Sequence, residues 1–308
     1  MRELIVGTRN SKLALIQTKW VMTQLRLAGV INPIKIKEIV TIGDKRQNVS
    51  LLHLGGGGVF LQEIEQELVD GKIDFAVHSL KDIPVQLPEG LMISSVPVRE
   101  DYRDVLLAVN GKTLAELPAG AVIGTSSIRR SAQLFAVRPD IQTKWIRGPI
   151  DSRIKQMQDG KFDAIVLAAA GLNRLGIGQE FITEYLPAES FVPAMGQGAL
   201  AIECREEDME IHHLLAKIND KATELAVKTE RLFLACFGEE EQAPIGGYAY
   251  LADDKIHLHG MVIQLDGKTM LEHKSVGTNP IAVAKEVADV LIKAGAMDII
   301  NEVKQEIQ

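Results

Sequence analysis

Chemistry-bearing side chains first come together at the end of one apolar stretch. Residues 73–77 (Ile-Asp-Phe-Ala-Val) are followed by His78, Ser79, Lys81 and Asp82. A strand that delivers a carboxylate beside an ammonium at its C-terminal end is the usual place for functional groups in an α/β protein. These residues alone leave an alternative open, which is a solvated Lys-Asp pair at an ordinary strand exit.

Arginines recur at or just beyond the ends of predicted strands. The segment 124–130 (Gly-Thr-Ser-Ser-Ile-Arg-Arg) joins a strand end, a hydroxyl-rich turn and a helix start, where N–H and guanidinium groups converge as in an anion site. Arginine suits bidentate recognition of planar carboxylates. Any one of these arginines is explained as a surface residue, but six in an acidic protein favour a pocket for a polyanion. The six are Arg9, Arg129, Arg130, Arg147, Arg153 and Arg174.

Composition argues against nucleic acid and metal as ligands. The formal net charge of −7 over 308 residues disfavours non-specific nucleic-acid binding. Two tryptophans, four tyrosines and eight phenylalanines are not interleaved with the arginines as base-stacking platforms would be. The pairs His212–His213 and His257/His259 lack a carboxylate or thiolate companion at ligand spacing, so no metal is expected.

The chain also lacks the patterns of membrane and secreted proteins. No apolar run is long enough to span a bilayer, and the N-terminal residues lack signal-peptide anatomy. Cys204 and Cys236 form no disulfide framework and are interpreted as small buried hydrophobes. We therefore expect a cytoplasmic protein without a membrane partner. We also expect a monomer.

Strands and helices alternate along most of the chain, which predicts an α/β fold. A helix over 13–27 follows the first strand, with Ser11 as its N-cap. A later helical region, 215–237, is interrupted near Asn219–Asp220, and helices follow from about residue 281. The predicted strands are 2–7, 34–40, 73–77, 91–98, 105–109, 121–124, 143–147, 164–168, 199–204, 248–251, 256–263 and 270–275.

The pattern divides the chain into three domains. The first covers residues 1–98 plus about 199–217, the second covers 99–198, and the third, of α+β type, covers 218–308. Within the first domain, four glycines (Gly55–Gly58) precede an amphipathic helix over 59–68. They match neither GxxxxGK[ST] nor a GxGxxG directly after a strand, so a hinge or lid is preferred to a nucleotide site.

Six motifs together resemble hydroxymethylbilane synthase, the porphobilinogen deaminase family. They are residues 7–14 (GTRNSKLA), 76–82 (AVHSLKD), 124–130 (GTSSIRR), 146–148 (IRG), 167–172 (LAAAGL) and 196–200 (GQGAL). The motifs follow the family's order and cover almost the whole chain. The resemblance implies two similar doubly wound domains, like the halves of a periplasmic binding protein. It also implies an active site in the cleft between them and a small α+β C-terminal domain.

The family joins four porphobilinogen units into a linear tetrapyrrole and releases ammonia at each step. Each porphobilinogen unit carries acetate and propionate side chains, whose carboxylates fit the arginine pattern. By position, Asp82 matches the catalytic aspartate, which would help expel ammonia, stabilise the azafulvenium cation and manage the proton lost after carbon–carbon bond formation. Porphobilinogen and oligopyrroles are therefore the expected partners. The substrate- and cofactor-binding positions match Arg9, Ser11, Lys81, Ser127, Arg129, Arg130, Arg147, Arg153 and Arg174.

One departure concerns the dipyrromethane cofactor, which the family holds by a thioether to a cysteine in a Gly-Gly-Cys-Gln-Val-Pro-Ile-Gly-like loop. Here residues 237–246 read Phe-Gly-Glu-Glu-Glu-Gln-Ala-Pro-Ile-Gly, and Glu241 occupies the cysteine position. A carboxylate is a poor soft nucleophile, and the electron-rich pyrrole would readily expel it from an ester. Covalent attachment is therefore not expected. Cys236 lies five residues earlier and would need a substantial shift to replace the missing thiol.

Three further differences weaken polyanion binding. Glu239 to Glu241 place negative charge where a polycarboxylate would be anchored. Gly57 stands where the family usually has a lysine, and Pro149 where it has an asparagine. Three hypotheses follow: a pyrrole-condensing enzyme without a tethered cofactor, a standard enzyme with a differently attached or non-covalent primer, and a catalytically silent pyrrole-binding paralogue.

Overall fold

A computed structural model describes residues 2–45, 58, 61–238 and 243–307. Of the predicted glycine-rich hinge only Gly58 falls inside these ranges. Gly57 and Glu239–Glu241 lie outside them. The strands are β1 Leu4–Arg9, β2 Ile34–Ile39, β3 Phe75–Ser79, β4 Leu91–Ser95, β5 Asp104–Ala108, β6 Val122–Gly124, β7 Gln142–Lys144, β8 Ala164–Ala168, β9 Glu184–Leu186, β10 Leu200–Arg205, β11 Ile245–Ala252, β12 Lys255–Ile263 and β13 Met270–Gly277.

The helices alternate with these strands until the third sheet. They are α1 Lys12–Leu27, α2 Ile42–Lys45, α3 Gln62–Val69, α4 Ile128–Val137, α5 Ile150–Gln158, α6 Ala169–Leu175, α7 Met209–Leu215, α8 Lys221–Ala235, α9 Pro280–Lys293 and α10 Ala296–Ile307. Across the ranges that the structure covers, no helix combines the length and the apolar character needed to cross a membrane.

The first compact unit comprises Met1–Glu100 and Gly198–Leu225. Its sheet has the order β2-β1-β3-β10-β4, in which β1 runs parallel to β2 and β3, while β10 runs antiparallel to β3 and β4. Apolar side chains from alternate strand positions pack under α1 on one face and under α3 on the other. Gly7 lies under the α3 side, where an added Cβ would come within 2.3 Å of Ile73 Cδ1.

Helix α1 begins as the sequence predicts. The Ser11 hydroxyl accepts a hydrogen bond from the N–H of Ala14 at 3.2 Å, which satisfies one of the unpaired amides of the first turn. Val21 and Leu25 then fall on the buried stripe of the helix. The cap therefore fixes where the chain leaves β1.

The second compact unit comprises Asp101–Gln197 and Ala226–Gln308 and contains two sheets. The larger has the order β7-β6-β8-β5-β9, with α4 on one face and α5 and α6 on the other. The smaller is the antiparallel meander β11-β12-β13, which α9 and α10 contact. Asp253 and Asp254 form its first hairpin turn at φ of 50° and 56°, as a tight hairpin requires.

The predicted fold class is confirmed: two doubly wound sheets are followed by a smaller C-terminal sheet with its own helices. The division into three domains stays a prediction, since the second and third sheets fall in one compact unit. The boundary between the units lies inside α8, at Leu225 and Ala226. The predicted interruption near Asn219–Asp220 separates α7 and its short 3₁₀ extension from α8.

Candidate active site

Strand β3 delivers Asp82 to the edge of the first sheet. The strand continues into a single 3₁₀ turn, Leu80–Asp82, whose first residue is buried. The turn is held from behind because the Leu80 N–H donates to the carbonyl of Ala199 at 3.0 Å. Lys81 is exposed and Asp82 half-buried. The turn thus anchors its apolar residue and leaves the charged pair at the rim of the unit.

Arg9 and Ser11 lie at the same edge of that sheet. β1 and β3 are adjacent parallel strands, so their carboxyl ends meet there. The Arg9 guanidinium pairs with Asp44 of α2 at 2.5 Å. Burial acts to raise the pKa of Asp44, but the hydrogen bond and charge of Arg9 outweigh burial, so that the carboxyl's pKa lies below its usual value. A positive group, a hydroxyl and Asp82 are thereby collected at one edge.

Arg129 and Arg130 share one buried carboxylate in the second unit. Asp104, the first residue of β5, has no exposed surface and accepts hydrogen bonds from Arg129 at 2.9 Å and Arg130 at 2.6 Å. Gln197 adds a third donor at 2.9 Å. Burial alone would raise the pKa of Asp104, but the two guanidinium charges hold it well below its usual range. Two cations on one anion leave this group with a net positive charge.

The side chain of Arg129 is buried and hydrogen-bonded inside the second unit. It is 5% exposed, and besides Asp104 it donates to the carbonyl of Val192 at 2.6 Å. Arg130 is 9% exposed and donates to the carbonyl of Val166 at 3.1 Å. Both residues begin α4, which Ser127 caps by accepting from the N–H of Arg130 at 3.4 Å.

Arg153 joins this positive cluster from α5. Burial lowers its pKa to about 10, and the charges of Arg130 and Arg147 act in the same direction. Its Nε donates to the carbonyl of Gly148 at 2.8 Å, which fixes the guanidinium next to the Arg147–Gly148 turn. The structure thus groups Arg130, Arg147 and Arg153, three cations whose mutual repulsion favours a bound anion.

The remaining predicted positions are more scattered. Arg174 is half-buried in α6, directly after β8. Glu241 lies outside the described residues. Strand β7 ends at Lys144, three residues before Arg147, so Arg147 belongs to the following turn rather than to the predicted strand.

The two cysteines lie in different surroundings. Cys204 is fully buried in the core of the first unit, and burial raises its pKa to about 11. The expectation that Cys236 is buried is wrong, because the residue is exposed at the end of α8. Its thiol donates to the carbonyl of Leu232 in the preceding helical turn, and desolvation by the surrounding residues raises its pKa. A thiolate is the attacking species in thioether formation. The carboxylates of a dipyrromethane fit the arginine cluster, and neither thiol has the lowered pKa of an activated nucleophile.

Two buried polar residues of the cluster received no role from the sequence. Asp104 and Gln197 organise the arginine cluster, yet they come 25 and 67 positions from the arginines they bind. A carboxylate at the head of an otherwise apolar strand (Asp-Val-Leu-Leu-Ala) was the available signal. Among the residues the structure covers, no group of three or more His, Cys, Asp or Glu side chains could hold a metal ion. The absence of a metal stays a prediction.

Comparison with protein families gives two matches. Residues 4–213 match the model described as "Porphobilinogen deaminase, dipyromethane cofactor binding domain". Residues 224–293 match the model of the porphobilinogen deaminase C-terminal domain. Together the matched segments cover most of the chain.

Curated relatives are similar over the whole length. A porphobilinogen deaminase of Oceanobacillus iheyensis is 52% identical over 306 residues, which are 99% of each chain. Porphobilinogen deaminases of Geobacillus kaustophilus and Bacillus cereus are 50% and 51% identical, over 99–100% of either chain. Among solved structures, the methionine binding protein MetQ gives a TM-score of 0.45 at 12% identity, covering 71% of this chain and 91% of its own. The periplasmic VFT2 domain of Bordetella pertussis BvgS gives 0.42 at 15% identity, covering 70% and 86%.

Proposed function

The chain belongs to the porphobilinogen deaminase family, and we propose that it condenses porphobilinogen into linear oligopyrroles without a thioether-linked dipyrromethane. Porphobilinogen deaminases are transferases of tetrapyrrole biosynthesis. The substrate class rests above all on the mutually repelling cluster of Arg130, Arg147 and Arg153, since each pyrrole unit carries two carboxylates.

Asp82 is the group proposed to act on the reacting atoms. The carbon–nitrogen bond of porphobilinogen breaks and ammonia departs, which leaves an azafulvenium cation. The α-carbon of a second pyrrole then forms a carbon–carbon bond to that cation and afterwards loses a proton. A half-buried carboxylate at the end of β3 suits this chemistry, because a fixed negative charge stabilises the cation and can take up the proton.

The other matched positions are proposed to bind the acetate and propionate groups. In the first unit they are Arg9, Ser11 and Lys81, which lie at or next to the edge that presents Asp82. In the second unit they are Ser127, Arg129, Arg130, Arg147, Arg153 and Arg174. The role of Arg129 is proposed to run through Asp104, which it helps to hold against Arg130.

The proposed absence of a thioether follows from the residue at position 241 and from the two thiols. A dipyrromethane, when bound, supplies the pyrrole that accepts the first unit. Glu241 supplies no thiolate, and the pKa of each remaining thiol is raised. The primer is therefore proposed to be a free pyrrole held by its carboxylates, and chain growth without a tether favours shorter products.

Turnover with product analysis tests the function. Purified protein is incubated with porphobilinogen, ammonia release is followed, and the pyrrole products are separated by length. Porphobilinogen consumption with release of short oligopyrroles supports the proposal and rules out a silent binding paralogue. No consumption above a protein-free control overturns it. Exclusive production of the four-ring chain favours a standard enzyme with a non-covalent primer.

The assembly state and the location go with the function as proposals. We propose a monomer that works in the cytoplasm. Sedimentation velocity tests the first statement, and a reversible dimer at micromolar concentration would contradict it.

A further inference from the structure

Behind the Asp82 turn, the first unit buries three ionisable side chains that the proposed chemistry leaves unused. His78 Nε2 of β3 lies 3.0 Å from Glu203 Oε2 of β10, and the two side chains are 3% and 0% exposed. Glu65 of α3 is 8% exposed and close enough for its pKa to respond to both. We call His78, Glu203 and Glu65 the buried triad.

Strand geometry explains why the triad meets on the α3 side of the sheet. β3 and β10 are antiparallel, with Ala201 opposite His78 and Glu203 opposite Ala76. Ala76 belongs to the apolar cluster under α3, and strand side chains alternate, so His78 faces α3 as well. Glu203 is a diagonal neighbour of His78 on that face.

Both faces of the β3 end are therefore tied by polar contacts. On the α1 side, Gln17 Nε2 donates to the hydroxyl of Ser79 at 3.1 Å. On the α3 side, His78 meets Glu203. The 3₁₀ turn that carries Asp82 starts with the next residue, Leu80. Any tilt of His78 or Ser79 would be passed directly to the carboxylate of Asp82.

Stability alone does not account for the buried triad. The desolvation of ionisable groups usually costs more free energy than their ion pair recovers, and apolar residues of similar volume are often as stable. One oxygen of Glu65 and one of Glu203 are also buried without a hydrogen-bond partner. Burial, and then the charge of Glu203, raise the pKa of Glu65 to about 7, so a proton resides there at lower pH.

Other charged groups on this face are engaged elsewhere. Strand β4 contributes no titratable side chain, since it reads Leu-Met-Ile-Ser-Ser. Arg205 of β10 donates to the carbonyls of residues 68 and 73 at 2.8 Å. Asp74, just before β3, pairs with Arg2, and Lys35 of β2 is exposed. The remaining pairs on this face include Arg205 with Asp208, Lys37 with Glu67, Arg9 with Asp44, and Glu63 with the N–H of Ile42.

We propose that His78, Glu203 and Glu65 are positioning residues for Asp82, and that they hold the end of β3 where the carboxylate can meet the developing cation. This inference rests on the role proposed above for Asp82. With Glu65 protonated, the repulsion between its carboxyl group and Glu203 is relieved. As pH rises and Glu65 loses its proton, two buried carboxylates repel each other and loosen the packing of α3 on β3 and β10.

Hydrogen exchange tests the positioning without any need for turnover. We expect His78→Gln to speed amide exchange in the peptide spanning residues 78–83 by about tenfold, with exchange in α1 unchanged. The matched control is His212→Gln. His212 hydrogen-bonds Ser94 Oγ at 2.8 Å in the same unit, but it contacts Cys204 on the opposite face of the sheet. Equal exchange in both variants, or faster exchange throughout the unit with His78→Gln, would overturn the inference.

The pH profile of kcat supplies the second readout. Glu65→Gln imitates the protonated acid and needs no change of volume. We expect it to match the wild type near pH 6, and to exceed it severalfold at about pH 8.5, because a small displacement of a reacting group is costly. Identical profiles for the two proteins would overturn the inference. A wild type without turnover at any pH would instead overturn the proposed function, and the exchange measurement would still decide the role of the triad.

Discussion

The two compact units each bury a carboxylate, and they partner it in opposite ways. Asp104 in the second unit has two guanidinium groups and an amide within hydrogen-bonding distance. Glu203 in the first unit has one imidazole and, nearby, a second carboxylate. The first arrangement holds the pKa of Asp104 well below its usual range, whereas in the second the pKa of Glu65 is raised to about 7, so that this carboxyl group can gain or lose a proton near neutrality.

This contrast predicts a different role for each unit. In the second unit, positive charge is built in and held rigidly, which suits the binding of carboxylates. In the first unit, negative charge is presented at a strand end above a titratable interior, which suits action on a cation. Loss of charge should therefore damage the two units in different ways.

The largest expected effect is on rate, in the first unit. Asp82→Asn should reduce kcat by about 10²- to 10⁴-fold, because it removes the charge that is proposed to face the azafulvenium cation. The free energy of unfolding should stay within about 1 kcal/mol of the wild type, since the side chain is half-buried. Asp70→Asn, at the exposed end of α3, is the control and should leave kcat unchanged. Unaltered turnover in Asp82→Asn would contradict the assignment.

The same substitution in the second unit should cost stability. Asp104→Asn leaves two buried guanidinium groups without their carboxylate, and we expect a loss of about 3–5 kcal/mol in the free energy of unfolding. Urea unfolding measures it, with Asp140→Asn as a matched control at the more exposed pair with Arg138. If Asp104→Asn lowers the free energy of unfolding by less than about 1 kcal/mol, as expected for the control, the contrast between the units would be contradicted.

Substrate affinity tests the arginine cluster at a smaller scale. Arg153→Gln should raise KM for porphobilinogen by about tenfold or more, because a charge-assisted contact to a carboxylate is lost. Lys155→Gln removes a positive charge from the same helix, but that lysine is 75% exposed. The KM of this variant should therefore change little. Equal changes in KM would mean that general charge, rather than the cluster, attracts the substrate.

The smallest effect concerns pH and stability. The pKa of Glu65 rises from 4.5 to about 7 in the folded chain. Its contribution to the free energy of unfolding is therefore fully present below about pH 4.5 and is lost as pH rises through 7. Asp104 has the opposite sign, and its contribution is lost only in strong acid. Glu65→Gln should flatten the pH dependence of the free energy of unfolding between about pH 5 and 7, by on the order of 1 kcal/mol. If the slope of the free energy of unfolding against pH is unchanged, the proton is bound by a group other than Glu65.

Much of the fold follows from local patterns. Ser11 as an N-cap and the interruption near residue 219 are signals within a few residues, and the structure bears them out. Strand ends were less predictable. Strand β11 starts at Ile245, three residues earlier than expected, because pairing with Val262 extends it past the local pattern.

The partners of buried charges could not be predicted. Which carboxylate meets Arg129 and Arg130 depends on β5 lying beside β8, and His78 meets Glu203 only because β10 returns between β3 and β4. Sequence spacing carries no information on such pairs. The chemistry of Asp82, by contrast, could be proposed from the strand exit and from the resemblance, and it stays a prediction.

The central claim, condensation without a thioether tether, is tested most directly by intact mass under denaturing conditions. Wild type and Glu241→Cys are each incubated with porphobilinogen and then unfolded before the measurement. We predict the mass of the bare polypeptide for the wild type while porphobilinogen is consumed, and a stable increment of two pyrrole units for Glu241→Cys. A stable dipyrromethane-sized increment on the wild type would contradict the account.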